Sequence, residues 1–307
     1  MSPYLDIFVG TDRSQLVAVA VLEHSIKRHT AHRVRLCPLI DLDLPEPRDI
    51  RNGSRTGFSF ARFAIPELMG FEGRALYLDA DMLVFRDIEA LWRLPFGNAK
   101  VLIQGDMDAR AALDRSGRPR TRQCSVMLMD CGRLKWDARS IIEGLDGRYD
   151  YDELLSQLCI LEEADISESI PFRWNSLEHF DDQTCLLHYT DMLTQPWVSS
   201  GNPLGRHWLN ELHMMLEAGQ MSWKMIDGEI EAGYFRPSLI PELRGLPTAA
   251  PWSAEAARYY DQIDQQAGFV KHAEAFRRKR ERLKAVREFD QRLEIENRES
   301  LRSEATP

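Results

Sequence analysis

The chain has 307 residues, 44% of them hydrophobic, and a formal net charge of −9. That size and composition suit a soluble globular protein with one large core and an appendage, and the acidic balance argues against general nucleic-acid binding. No apolar run approaches a membrane span, the N-terminus lacks a basic-then-apolar leader, and five scattered cysteines without a C-x-x-C pair read as reduced cytosolic thiols.

Leu5–Val9 is a short apolar run that reads as a strand. Gly10–Ser14 follows as a turn, with Asp12 or Ser14 placed to cap the next helix. Leu16, Val19, Ala20, Leu22 and Ile26 fall at helical spacing, and Val34–Ile40 reads as a second strand. The opening is therefore β-α-β, with parallel strands. Residues 41–57 are a polar loop. Phe58–Met69 reads as a helix up to Gly70, kinked or restarted at Pro66. Ala75–Phe85 holds two apolar strands around Asp79-Ala80-Asp81. A short helix at Ile88–Trp92 and a strand at Val101–Gln104 follow. Residues 106–122 carry several Arg and a Gly-x-Pro and read as a mobile loop. A strand at Ser125–Met129, helices at Asp137–Leu145 and Asp152–Leu161, and a strand at Cys185–Tyr189 complete an alternating α/β pattern.

The composition changes after about Pro251. Glu255–Arg302 has no Pro, a single Gly and many Glu, Arg, Lys and Ala, so it reads as one or two long helices. The domain boundary falls there, with a main domain over 1–250 and a helical extension over 251–307. Phe269, Phe276, Leu283, Val286, Phe289 and Leu293 share one face. That face fits packing on the main domain or a coiled-coil contact. With Arg277–Arg280 it also fits attachment to a membrane surface.

Asp-x-Asp occurs at Asp41/Asp43, Asp79/Asp81, Asp106/Asp108 and Asp150/Asp152. Most such pairs serve turns and helix caps. Asp41/Asp43 precedes Leu-Pro-Glu-Pro, a loop composition, and Asp106/Asp108 follows a strand as a weaker candidate. Only Asp79/Asp81 lies between two apolar runs, at a strand end where open α/β sheets bind ligands. Two carboxylates held there repel unless a divalent cation or Arg62, Arg74 or Arg86 compensates. A bound cation can in turn hold a diphosphate.

Four segments together resemble the retaining glycosyltransferases of the glycogenin and bacterial lipopolysaccharide galactosyltransferase type, which are GT-A folds of the family 8 kind. The first is Phe8-Val-Gly-Thr-Asp12, opening a helix that contains His24-Ser25-Ile26. The second is Phe60–Pro66 leading into Tyr77–Met82. The third is Trp174-Asn175 after Ile170-Pro171. The fourth is Leu187-His-Tyr-Thr190 followed by Gln195-Pro-Trp197. The resemblance implies a mixed α/β sheet flanked by helices, to which the composition after Pro251 adds the C-terminal helical extension. It implies Asp79, Asp81 and His188 as ligands of Mn²⁺ (or Mg²⁺), with Ala80 between the two carboxylates. It implies a UDP-sugar donor, with uridine held at Gly10, Thr11 and Asp12 and with Arg62 near the donor phosphates. Two carboxylates and an imidazole do suit Mn²⁺, which would act as a Lewis acid on the departing UDP.

Two departures from the family pattern stand out. The usual His-x-x-Gly-x-x-Lys-Pro-Trp is here His188–Trp197, one residue longer. Asp191 stands where Gly is expected, and Gln195 replaces the phosphate-binding Lys. Arg206, His207 or an Arg of the 110–122 loop are the substitutes on offer. The family's Asn-x-Gly-Val is represented at best by Gln123–Val126. Its Asp-Gln segment, beside the anomeric carbon, falls within Asp150–Glu153. Asp150 and Asp152 both remain open there. Asp152 and Glu153 are preferred as the first residues of a helix, with Gln123 as a hydrogen-bond partner of the sugar.

The reading is a cytoplasmic, Mn²⁺-dependent enzyme that moves a hexose from a UDP-sugar to an acceptor hydroxyl with retention. Glycan, lipid-linked and small-molecule acceptors all fit. The C-terminal helix offers peripheral contact at the inner membrane surface, or oligomerisation. The alternative is a nucleotide-sugar fold kept as a non-catalytic binding or assembly module; the missing Lys and Gly fit it, and the intact Asp79, Asp81 and His188 oppose it. A nucleotidyltransferase would need a Gly-rich loop where Phe8–Arg13 has one Gly. A glycoside hydrolase would use paired carboxylates without metal. His24 and His179 read as surface or core residues. Trp174, Trp197, Trp208 and Trp223 fit either sugar stacking or core packing.

Overall fold

The computed structural model describes residues 4–105, 122–246 and 252–271, together with Glu274, Arg277 and Glu281. β1 (Tyr4–Gly10), α1 (Leu16–His29) and β2 (Arg33–Leu39) form the expected parallel β-α-β unit. Asp12 is the cap between β1 and α1, accepting from the Ser14 N–H at 2.9 Å. The apolar stripe of α1, from Val17 to Ile26, is buried as its spacing requires.

Phe58–Met69 is not one helix. Ala61–Ala64 is a 3-10 turn, and α2 (Ile65–Leu68) is a single α-turn. Pro66 has no N–H to give the Arg62 carbonyl, so that carbonyl is met by the Ile65 N–H instead. The tighter winding leaves Arg62 buried beneath the strand that follows.

That strand is β3 (Arg74–Asp79), followed by β4 (Met82–Val84), α3 (Glu89–Trp92), β5 (Val101–Gln104) and β6 (Gln123–Asp130). The Asp106/Asp108 pair and the Arg residues between 106 and 121 lie outside the described residues. α4 (Ala138–Glu143) is capped by Asp137, and α5 (Tyr151–Gln157) opens with an Asp150/Glu153 capping box. α5 stops before Leu161 because Leu158 turns left-handed at φ 52°. β7 (Ile166–Ser167), β8 (Ser176–Leu177) and β9 (Leu186–His188) come next.

Three helices then follow that the sequence reading passed over, α6 (Gly205–Glu217), α7 (Trp223–Glu231) and α8 (Leu239–Gly245). α9 (Ala254–Gln266) is the first part of the C-terminal extension, and Gly268, at φ 72°, turns the chain beyond its end. α9 is docked on the main body. Ser200 Oγ donates to the Ala257 carbonyl at 3.1 Å, and the backbone and hydroxyl of Ser238 donate to the two oxygens of Asp264, each at 2.8 Å. Phe276, the basic positions 278–280, and Leu283, Val286, Phe289 and Leu293 lie outside the described residues. No described helix is long and apolar enough to cross a membrane.

The main sheet has the order β2-β1-β3-β6-β5-β7 and is mixed, since β6 runs antiparallel to both β3 and β5. A second sheet, β4-β9-β8, continues from the end of β3. Alternate residues of β3 feed opposite cores, Ala75 and Tyr77 on one face and Leu76 and Leu78 on the other. A third core, with Trp197, Trp208 and Phe235 at its centre, packs the second sheet against α1 and α6–α8. β1 and β3 run parallel and end in register, with Gly10 beside Asp79. The first carboxylate of the Asp-Ala-Asp run therefore stands at the carboxyl edge of the sheet.

Candidate active site

The chain leaves β3 at Asp79, and the Ala80 N–H crosses to the Gly10 carbonyl at 3.2 Å. Asp81 precedes β4, whose first residue, Met82, pairs with His188 at the end of β9. The Tyr189 N–H closes the corner on the Asp81 carbonyl at 2.8 Å. On the α1 side, Ser25 Oγ accepts from the Val84 N–H at 3.1 Å, tying β4 to the helix. These backbone bonds bring Asp79, Asp81 and His188 together, with ligand atoms within 4.8 Å of one another.

Each of the three side chains is held from behind. Tyr77 Oη donates to Asp79 Oδ1 at 2.6 Å, and burial keeps that phenol protonated by raising its pKa well above the ordinary value. Arg62 donates to the Cys124 carbonyl, covers the Tyr77 ring at 4.5 Å and stands 3.8 Å from Asp79 Oδ1. Of the three Arg candidates it is the one at the carboxylates. Arg74 donates to the Trp92 and Leu94 carbonyls, and Arg86 to those of Phe85 and Asp182. Gln195 Nε2 donates to Asp81 Oδ2 at 2.7 Å. His188 Nδ1 lies 2.9 Å from Asn175 Oδ1. Asn175 Nδ2 donates to Gln104 Oε1 at 2.6 Å and to Ser125 Oγ at 3.0 Å, so its Oδ1 is the acceptor in that contact.

Burial raises the Asp79 pKa, Arg62 opposes that rise, and Asp81 adds to it. Burial pulls His188 down, but Asp81 and Asp79 outweigh it and the imidazole is raised.

The residues present fit a divalent cation. Asp81 Oδ1 is buried without a hydrogen-bond partner, and His188 Nε2 faces it at 3.1 Å. In the protonated imidazole this contact is an ion pair; once that proton is lost and the remaining one sits on Nδ1, both atoms turn lone pairs into one small space, an arrangement that suits a cation. Three protein ligands, two of them hard oxygens, leave coordination positions open for a diphosphate.

The other expected residues are distributed as follows. Gly10 lies against the phenol that holds Asp79: a Cβ there would meet Tyr77 Oη at 2.2 Å. Thr11 is buried, and the Asp12 carboxylate is engaged by Ser14. Gln123 opens β6, which runs antiparallel to β3, so it lies toward the same end of the sheet as Asp79. Asp152 and Glu153 do not join the cluster. Asp152 is exposed and paired with Arg55 at 2.8 Å, while Glu153 accepts from the Asp150 N–H at 2.8 Å within the capping box. Gln195 is in the site, but its amide serves Asp81. Among the described residues, the substitutes for the missing Lys are engaged elsewhere: Arg206 Nη2 donates to the Leu246 carbonyl, His207 packs on Phe180 at 4.0 Å with its pKa lowered by burial, and Arg122 pairs with Glu163 and Glu168; the other Arg residues of the 110–122 loop lie outside the described residues.

His24 pairs with Glu211 at 2.6 Å and His179 with Asp181 at 3.0 Å. Trp174, Trp197 and Trp208 are core residues. Sequence reasoning missed Tyr77, Gln104 and Ser125. Tyr77 carried a signal, being a polar-tipped residue two positions before Asp79 on a buried strand. Gln104 and Ser125 carried none.

A mixed sheet with an Asp-x-Asp run at the ends of its parallel strands is the arrangement of a GT-A glycosyltransferase fold, and solved structures of that class match it. The galactosyltransferase LgtC, in complex with donor and acceptor sugar analogues, superposes with a TM-score of 0.53 at 15% identity over 73% of this chain and 100% of its own. The glycosyltransferase GlyE of Streptococcus pneumoniae TIGR4 gives 0.52 at 18% identity over 77% of this chain. This chain spans 65% of GlyE and 50% of the bifunctional glycosyltransferase WbbM, a further match. Residues 20–123 match the profile of Glycosyl transferase family 8. Protein CDI of Arabidopsis thaliana is 30% identical over 228 residues, covering 67% of this chain and 85% of the plant protein. The chain belongs to glycosyl transferase family 8.

Proposed function

We propose that this protein transfers a hexose from a UDP-sugar to an acceptor hydroxyl, with retention of anomeric configuration and with Mn²⁺ at the donor site. The observation that carries the reading is the convergence of Asp79, Asp81 and His188 on one small space at the carboxyl ends of β1 and β3. These three residues would hold the ion, which when bound offsets charge on a leaving diphosphate. Gly10, Thr11 and Asp12, at the adjoining strand end, would hold the nucleoside. Arg62 keeps Asp79 oriented and adds a positive charge beneath the phosphates. Gln123 is the candidate hydrogen-bond partner of the sugar. Asp152 is the candidate carboxylate for positive charge developing at the anomeric carbon, since Glu153 is used by its helix cap. The acceptor is a glycan, a lipid-linked saccharide or a small molecule. All five cysteines are free, which supports a reducing, cytoplasmic setting.

Asp81→Ala and His188→Ala test the reading. Both should lose donor hydrolysis and transfer while keeping the circular dichroism of the parent. Full activity in either variant refutes it.

A further inference from the structure

We infer that two buried neutral amides, Asn175 and Gln195, are positioning residues that pre-set the lone pairs of the metal site. The inference rests on the proposed metal-dependent reading and deepens it. Asn175 is fully buried, as is Gln104, the residue that fixes its orientation. Because Asn175 Nδ2 is spent on Gln104 and Ser125, its Oδ1 faces His188 Nδ1 and can only accept. In the neutral imidazole the proton is therefore held on Nδ1, and Nε2 is the atom left to offer a lone pair beside Asp81. Gln195, 3% exposed, acts on the other ligand. Its N–H caps Asp81 Oδ2 at 2.7 Å and leaves the buried Oδ1 uncapped. Asp81 would thereby offer a cation one oxygen, from a clamp that carries no charge of its own. An ammonium at position 195 would instead place a positive charge beside the site. Both amides come from segments outside the Asp-Ala-Asp run, so the site is aligned by the folding of 175–195 over β3.

The test is Mn²⁺ binding by the full chain without any sugar, followed by electron paramagnetic resonance of the free ion. The proteins are the parent, Asn175→Ala, Asn175→Asp and Gln195→Met. Loss of an outer partner of a metal ligand should weaken Mn²⁺ about 10- to 100-fold in Asn175→Ala and Gln195→Met. Asn175→Asp, which keeps an oxygen for Nδ1–H, should recover most of the loss. Unchanged Mn²⁺ affinity in folded Asn175→Ala and Gln195→Met overturns the inference and leaves the functional reading standing. Absence of Mn²⁺ binding by the parent overturns both. If the variants do not fold, the ¹⁵N ring shifts of His188 in the Zn²⁺-loaded parent decide. A protonated Nδ1 with Nε2 ligated supports the inference, and ligation through Nδ1 overturns it.

Discussion

Replacing Gly10 by Ala would drive a methyl group into the hydroxyl that steers Asp79. The added Cβ would lie 2.2 Å from Tyr77 Oη, and 2.9 Å from both Tyr77 Cζ and Phe58 Cδ2, so the phenol must move. Overpacking of this kind costs about 1–3 kcal/mol. A displaced Tyr77 also gives up its 2.6 Å bond to the Asp79 carboxylate, worth about 1.5–3 kcal/mol for a charged acceptor. Both losses act through one hydroxyl, so they do not add, and about 2–4 kcal/mol in total is expected. Tyr77→Phe loses the bond but also removes the nearest of the three atoms that the new methyl strikes. The double variant should therefore be less destabilised than the sum of the singles by about 1 kcal/mol or more. Urea unfolding of the four proteins, with and without Mn²⁺, measures this. A ligand at 100 times its Kd stabilises by about 2.7 kcal/mol, so the shift produced by Mn²⁺ also reports whether Asp79 is still aimed. A Gly10→Ala protein with parental stability and a full Mn²⁺ shift would refute the reasoning, as would strict additivity in the double variant.

Other expectations follow from the same geometry. Asp152→Asn should abolish transfer with little change in stability, whereas Glu153→Ala should keep most activity and lose about 1 kcal/mol through its helix cap; activity assays beside urea midpoints separate the two, and the reverse pattern would reassign the carboxylates. Mn²⁺ must displace any proton held by Asp79 or His188, and both pKa values are raised. Mn²⁺ affinity should therefore fall as pH drops from about 8 to about 6, and calorimetry showing a flat affinity over that range would contradict the assignment. Glu211 is buried between α6 and α1, accepting from His24 Nδ1 and from Arg28 Nε and Nη2 at 2.6, 3.1 and 2.9 Å. Glu211→Ala should cost about 2 kcal/mol, because Arg28 keeps part of its hydration. It should leave Mn²⁺ affinity unchanged in the folded protein.

The parts of the fold that were legible in the sequence are those where a local pattern also settles tertiary position. β1, α1 and β2 are short apolar or amphipathic runs with a turn residue at each junction, and the structure places them nearly as read. Phe58–Met69 carries a helical pattern that Pro66 prevents the backbone from completing. α5 ends at Leu158 through a left-handed residue that no Gly or Pro announces. β7 and β8 have two residues each and exist only because β5 and β9 offer edges to pair with. The Asp79, Asp81 and His188 cluster was readable because Asp79 and Asp81 interrupt an apolar run and His188 ends another. Their support was not. Asn175 stood out as part of a motif, but its partnership with His188 spans 13 positions and that of Gln195 with Asp81 spans 114. Such pairings are set by the registers of β8 and β4 against β9 rather than by any local pattern.

The measurement that bears most directly on the account is UDP release by the purified protein across a panel of UDP-sugars, with Mn²⁺ and with EDTA, alongside the thermal shift produced by UDP plus Mn²⁺. The account predicts release from one UDP-hexose that EDTA abolishes, and a rise in melting temperature that requires both UDP and the ion. No release from any sugar, together with no shift from UDP and Mn²⁺, would contradict it.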